Sequence, residues 1–79
     1  MAVTVDVMLE KKGVDAGSFS VIPLDNSGNE ITASGWPKTN QAFTIGVYVR
    51  YTDVPDTAYQ IKIKSNSACT NDLIMRFKN

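Results

Sequence analysis

Seventy-nine residues with eight Lys plus Arg, eight Asp plus Glu and no His describe a small chain of zero net charge. At this length one domain is the limit, and only about 60–65% of the unfolded surface is buried on folding, so nearly every large apolar residue is needed in the core. The charge balance argues against a globally basic nucleic-acid protein and against an acidic DNA mimic, and the single cysteine, Cys69, excludes an intrachain disulfide.

The first segment, "AVTVDVMLE" over 2–10, alternates strictly. Val3, Val5, Val7 and Leu9 share one face and Thr4, Asp6, Met8 and Glu10 the other, the signature of a half-buried strand. "KKGVDAG" follows as a loop with Gly13 and Gly17 as breakers. "SFSVIPLD" (18–25) predicts a second strand, and Pro23, which cannot donate to a ladder, predicts an edge strand or the strand's end. "DNSGNE" predicts a tight turn that closes a hairpin into a short strand "EITAS" (30–34). "GWPKTN" (35–40) reads as a loop.

"QAFTIGVYVRY" (41–51) predicts the longest strand, with Phe43, Ile45, Val47, Val49 and Tyr51 inward and Thr44, Gly46, Tyr48 and Arg50 outward. "TDVPD" turns it back into "TAYQIKIKS" (57–65), where Tyr59, Ile61 and Ile63 oppose Gln60, Lys62 and Lys64. "NSACTN" turns again, and "DLIMRFK" (72–78) closes with Leu73, Met75 and Phe77 inward. Helical periodicity is absent. Six short strands at regular spacing predict a single all-β domain over 1–79, a small antiparallel sandwich of immunoglobulin-like or related type, with a small open barrel as the alternative. The last three strands are expected to form a meander.

Little in the sequence supports catalysis. Without His the commonest general base is missing, and nothing adjacent activates Cys69 in its turn. One Cys and no His make zinc a poor fit. Asp25, Ser27 and Asn29 offer oxygens at alternate positions. A calcium loop of the EF-hand type, however, needs Gly at position 6 and Glu at position 12, where this chain has Glu30 and Trp36. No glycine pattern fits a phosphate loop or a dinucleotide fingerprint. The expectation is no enzyme, no cofactor and no metal. Trp36 is expected to cap the core rather than to stand out as a recognition aromatic.

Charge is distributed unevenly along the chain. Residues 1–40 hold Asp6, Glu10, Asp15, Asp25 and Glu30 against three lysines, whereas residues 41–79 hold Arg50, Lys62, Lys64, Arg76 and Lys78 against Asp53, Asp56 and Asp72. If the last three strands are neighbours, Tyr48, Arg50, Lys62, Lys64, Arg76 and Lys78 share one outer face. That face is a candidate surface for a protein partner or an anion, and the bland alternative is a solvated sheet face. Val3, Val5, Val7 and Leu9 form a second candidate, a segment that could pack at home or be exchanged with a neighbouring subunit.

These features favour a non-catalytic structural or binding module that assembles on a larger protein surface. In size and composition the chain is similar to small β-proteins that decorate phage capsids or tails, and to single fimbrial or adhesin modules. The alternatives are a nucleic-acid or anion-binding β-module using the basic face, and a small phage-encoded inhibitor of a host macromolecule. A protein partner or self-association is expected, with nucleic acid second and no membrane insertion. No signal peptide is visible, which favours virion or cytoplasm and leaves a mature exported chain open.

Overall fold

The computed structural model describes residues 2–10, 17–66 and 72–78. Six strands follow in chain order: β1 (Val3–Val7), β2 (Phe19–Leu24), β3 (Lys38–Gln41), β4 (Val49–Val54), β5 (Gln60–Ser65) and β6 (Leu73–Arg76). They form two antiparallel sheets, β1-β4 and β3-β2-β5-β6, which are not closed into a barrel. No helix occurs among the described residues.

The alternating first segment behaves as its pattern requires. Val5, Val7 and Leu9 are buried, and Val3 packs against the same cluster. β1 pairs with β4 of its own chain, Val7 opposite Val49 and Val5 opposite Tyr51. β5 likewise buries Ile61 and Ile63. The core draws on both sheets and on the connections between them. Phe19 of β2 meets Phe43 edge to face at 5.5 Å, and Trp36 meets Tyr51 at 5.7 Å. Trp36 is buried, as expected of a core cap, and its indole Nε1–H donates to the Asp53 carbonyl at 2.9 Å. The Tyr51 hydroxyl donates to Gln41 Oε1 at 2.9 Å, and burial pushes its phenol above the usual value.

Several expectations are corrected. β2 is not an edge strand, because it pairs with β5 along its whole length and with β3 at Phe19 and Val21. Pro23 is tolerated because β3 does not reach it. Its carbonyl accepts from Ile31 N–H at 2.9 Å, so the missing N–H lies on that same loop-facing side, opposite to β5. Residues 30–34 make only isolated bridges, Leu24 to Glu30 and Ala33 to Trp36, and form no strand. The third strand lies instead at Lys38–Gln41, across the end of the expected loop 35–40 and the first residue of the expected strand 41–51.

The long strand over 41–51 is interrupted. Residues 42–48 carry a turn closed by Val47 N–H to the Thr44 carbonyl at 3.0 Å, with Gly46 at φ 80°, and the strand proper begins at Val49. Nor do the last three strands form a meander: β4 lies in the other sheet, and only β5 and β6 are neighbours. Residues 11–16, expected to be a loop, and 67–71, expected to be a turn that includes Cys69, lie outside the described residues.

Candidate interaction surface

The sandwich is lopsided, with two strands facing four. On one side its layers are tied together by side chains. Tyr51 reaches Gln41, and Lys38 pairs with Asp53 at 3.1 Å, which joins β4 to β3. On the other side lies a cavity of about 310 Å³ between the end of the first segment and β6, lined by Met8, Leu9, Glu10, Leu73 and Met75. The register Ile63↔Leu73 and Ile61↔Met75 turns Leu73 and Met75 to the core-facing side of the sheet. Yet Leu73 is 44% exposed, because the two-stranded sheet does not cover it.

Other large apolar side chains are exposed as well. Gly46 N–H donates to the Leu9 carbonyl at 3.0 Å and holds the 42–48 loop against this same end. That loop exposes Ile45 (42%), Val47 (52%) and Tyr48 (65%), and β6 adds Ile74 (52%) on its outer face. Ile45 and Val47, expected inward, therefore stand in solvent, since the turn at Gly46 breaks the alternation that would have carried them into the core. The sequence signal was Gly46 itself, an isolated glycine inside an alternating run.

The structure divides the predicted basic face. Arg50 lies on the two-stranded sheet, where it grips Asp6 with two hydrogen bonds, Nε to Oδ1 at 2.9 Å and Nη2 to Oδ2 at 3.3 Å. The hydrogen bond from Arg50 holds the Asp6 carboxyl below its usual range, against an opposing effect of desolvation. Tyr48 belongs to the loop. Only Lys62 and Lys64 on β5 and Arg76 on β6 share an outer sheet face, together with Ser20, Ile22 and Ile74.

Most of those cations are engaged. Lys62 pairs with Glu30 at 3.0 Å. Arg76 donates from Nη2 to Asn26 Oδ1 at 2.9 Å and from Nη1 to the Lys78 carbonyl at 2.7 Å. Lys78 donates to the Asp56 carbonyl at 2.6 Å and lies 5.0 Å from the Tyr59 ring, which Arg76 also approaches. Lys64 is exposed.

The second candidate segment, Val3, Val5, Val7 and Leu9, serves the core of its own chain. The "DNSGNE" loop is a turn. Asp25 Oδ1 accepts from the amides of Ser27 and Asn29, both at 2.9 Å. The Asn29 amide, with that of Ser27, holds the Asp25 carboxyl below its usual range. No protein-family model matches this sequence, and no curated protein or solved structure matches it either.

Proposed function

We propose that this chain is a non-catalytic protein-binding module that assembles on a larger protein surface through its open apolar side. The observation that carries the reading is the number of large apolar side chains left exposed, Ile45, Val47 and Tyr48 on the 42–48 loop and Leu73 and Ile74 on β6, with Leu73 lining the cavity beside Leu9 and Met75. Soluble domains seldom leave such a group uncovered unless a partner covers it. A chain this small also gains stability from association by mass action.

Within that class we place a phage virion component first, as a capsid-decorating or tail protein, and a fimbrial or adhesin-type module second. Size and composition support that order. The apolar side supports the class.

A photoreactive residue placed at Val47 or at Tyr48, in cells that carry the gene, tests the reading. Both positions should yield a discrete adduct with one larger protein, while the same residue at the exposed Thr4 should not. Absence of any such adduct from both positions would remove the assignment.

A further inference from the structure

We propose that the free edge of β6 pairs with the same edge of a second copy of this chain, antiparallel about a two-fold axis at Ile74. The inference goes beyond the larger-surface reading above and does not depend on it.

The four sheet edges are not alike. β3 is short and polar, Lys-Thr-Asn-Gln, with a register shift against β2 and Asn40 at φ 57°. The β1–β4 pair carries a register shift between Val3 and Val5, and β4 is tied by side chains toward β3. Bulges, short strands and polar edges are the usual means by which proteins keep strand edges from pairing. β6 is as short as β3, at four residues, but it carries no bulge and three of its four residues, Leu73, Ile74 and Met75, are apolar. Its register with β5 runs without a shift from Gln60↔Arg76 to Ile63↔Leu73, and it contains no proline.

The outward groups of this edge can be identified. Phe77 N–H donates to the Tyr59 carbonyl at 3.0 Å, so the odd-numbered residues of this segment turn their peptide groups toward β5. Those of Ile74 and Arg76, and of Asp72 if the alternation extends one step back, turn away from it.

Antiparallel pairing about Ile74 sets Ile74 opposite the partner's Ile74 and Leu73 opposite the partner's Met75. Asp72 falls opposite the partner's Arg76, and by symmetry Arg76 falls opposite the partner's Asp72. Asp72, Ile74 and Arg76 are all exposed, and among the described residues neither Asp72 nor Arg76 makes an ion pair; Arg76 donates to the neutral oxygens of Asn26 and Lys78, which the partner's Asp72 would replace or share. The dimer supplies each charge with an opposite one on the same face.

Other registers fit worse. A slip of two residues sets either Asp72 or Arg76 against an isoleucine. A slip of one turns the apolar face of one copy against the polar face of the other. In the proposed register two four-stranded sheets join into one continuous sheet.

The test uses the full chain carrying Cys69→Ser. Sedimentation should give twice the 8.6 kDa chain mass in the micromolar range. Asp72→Arg or Arg76→Asp alone should weaken the dimer by roughly tenfold or more, since each reversal creates two like-charge contacts, and the double variant should restore it. Circular dichroism identifies any variant that has lost its fold. Ile74→Cys should form an intermolecular disulfide under mild oxidation, because directly opposed hydrogen-bonded residues lie about 5.5 Å apart, within the span a disulfide bridges. Lys64→Cys should not.

A monomer throughout this range, or a dimer indifferent to both reversals, overturns the proposal. A monomer that still gives the adduct with a larger protein overturns this inference alone. A dimer without that adduct removes the larger-surface reading and leaves the β6 pairing in place.

Discussion

Phe43 and Val47 stand four residues apart in one alternating run, and the fold treats them as opposites. Phe43 is buried against Phe19, whereas Val47 is half in solvent beyond the turn at Gly46. Phe43→Ala should therefore cost about 3–5 kcal/mol in urea unfolding, and Val47→Ala should stay within about 0.5 kcal/mol. Equal costs would mean that 41–51 is a continuous strand after all. Asp25 gives a second residue-level expectation, in pH. The amides of Asn29 and Ser27 favour its charged form, so its pKa in the folded state lies below that in the unfolded state. Stabilisation of that sign is fully present above the ordinary Asp value of about 3.9 and is lost as pH falls through the folded-state value. Asp25→Ala should lower the urea midpoint near neutral pH, and the difference from the parent should shrink on the acid side of about pH 4. A gap that stays constant into acid would assign the effect to the turn backbone instead.

At the scale of elements, β1 is the most exposed to test. It brings Val5 and Val7 to the core, with Leu9 just beyond its end, and among the described residues it is the only strand paired with β4. Each buried side chain of this kind stabilises by about 1.5–3 kcal/mol, and small domains are stable by only about 5–15 kcal/mol in total. Deleting residues 2–10 should therefore abolish the dispersed amide spectrum. A truncated protein that stays folded but becomes monomeric would mean that the segment is exchanged between subunits. β1 and β5 were legible in the sequence because their alternation has period two with no breaker inside it. β3 was not, because Lys-Thr-Asn-Gln carries no apolar pattern; its place is set from outside by Phe19 and Val21 in the ladder and by the Tyr51–Gln41 bond. The partners of each strand were equally hidden. Period says which face is inward and nothing about which strand lies alongside, so the expected meander failed where β4 chose β1 across more than forty residues. The candidate surface followed the same division. Parity with the inward Leu73 and Met75 turns Ile74 outward, but the exposure of Leu73 depends on a missing cover, which no local pattern records.

At the scale of the whole molecule, the uneven charge along the chain is partly offset on folding. Asp6–Arg50 and Glu30–Lys62 each join an acid of the first forty residues to a cation of the rest, while Lys38–Asp53 joins the two halves in the opposite sense. The cations of the second half are also divided between two sheets, Arg50 on β4 and Lys62, Lys64 and Arg76 on β5 and β6, so they do not form the one face a phosphate backbone would track. A single-strand platform also needs aromatic faces beside its cations. Tyr48 is the exposed one, but it sits in the 42–48 loop and not on the sheet that holds Lys62 and Lys64. Fluorescence anisotropy with a labelled single-stranded oligonucleotide should therefore detect no complex at physiological salt. A true phosphate-binding surface would behave differently: affinity would fall with a logarithmic salt slope near −0.7 for each phosphate contacted. Lys62→Glu combined with Lys64→Glu would then abolish binding while leaving the circular dichroism unchanged. A micromolar, salt-steep complex destroyed by that double substitution would show that Glu30 releases Lys62 to nucleic acid, and the apolar side would lose its place as the working surface of the domain.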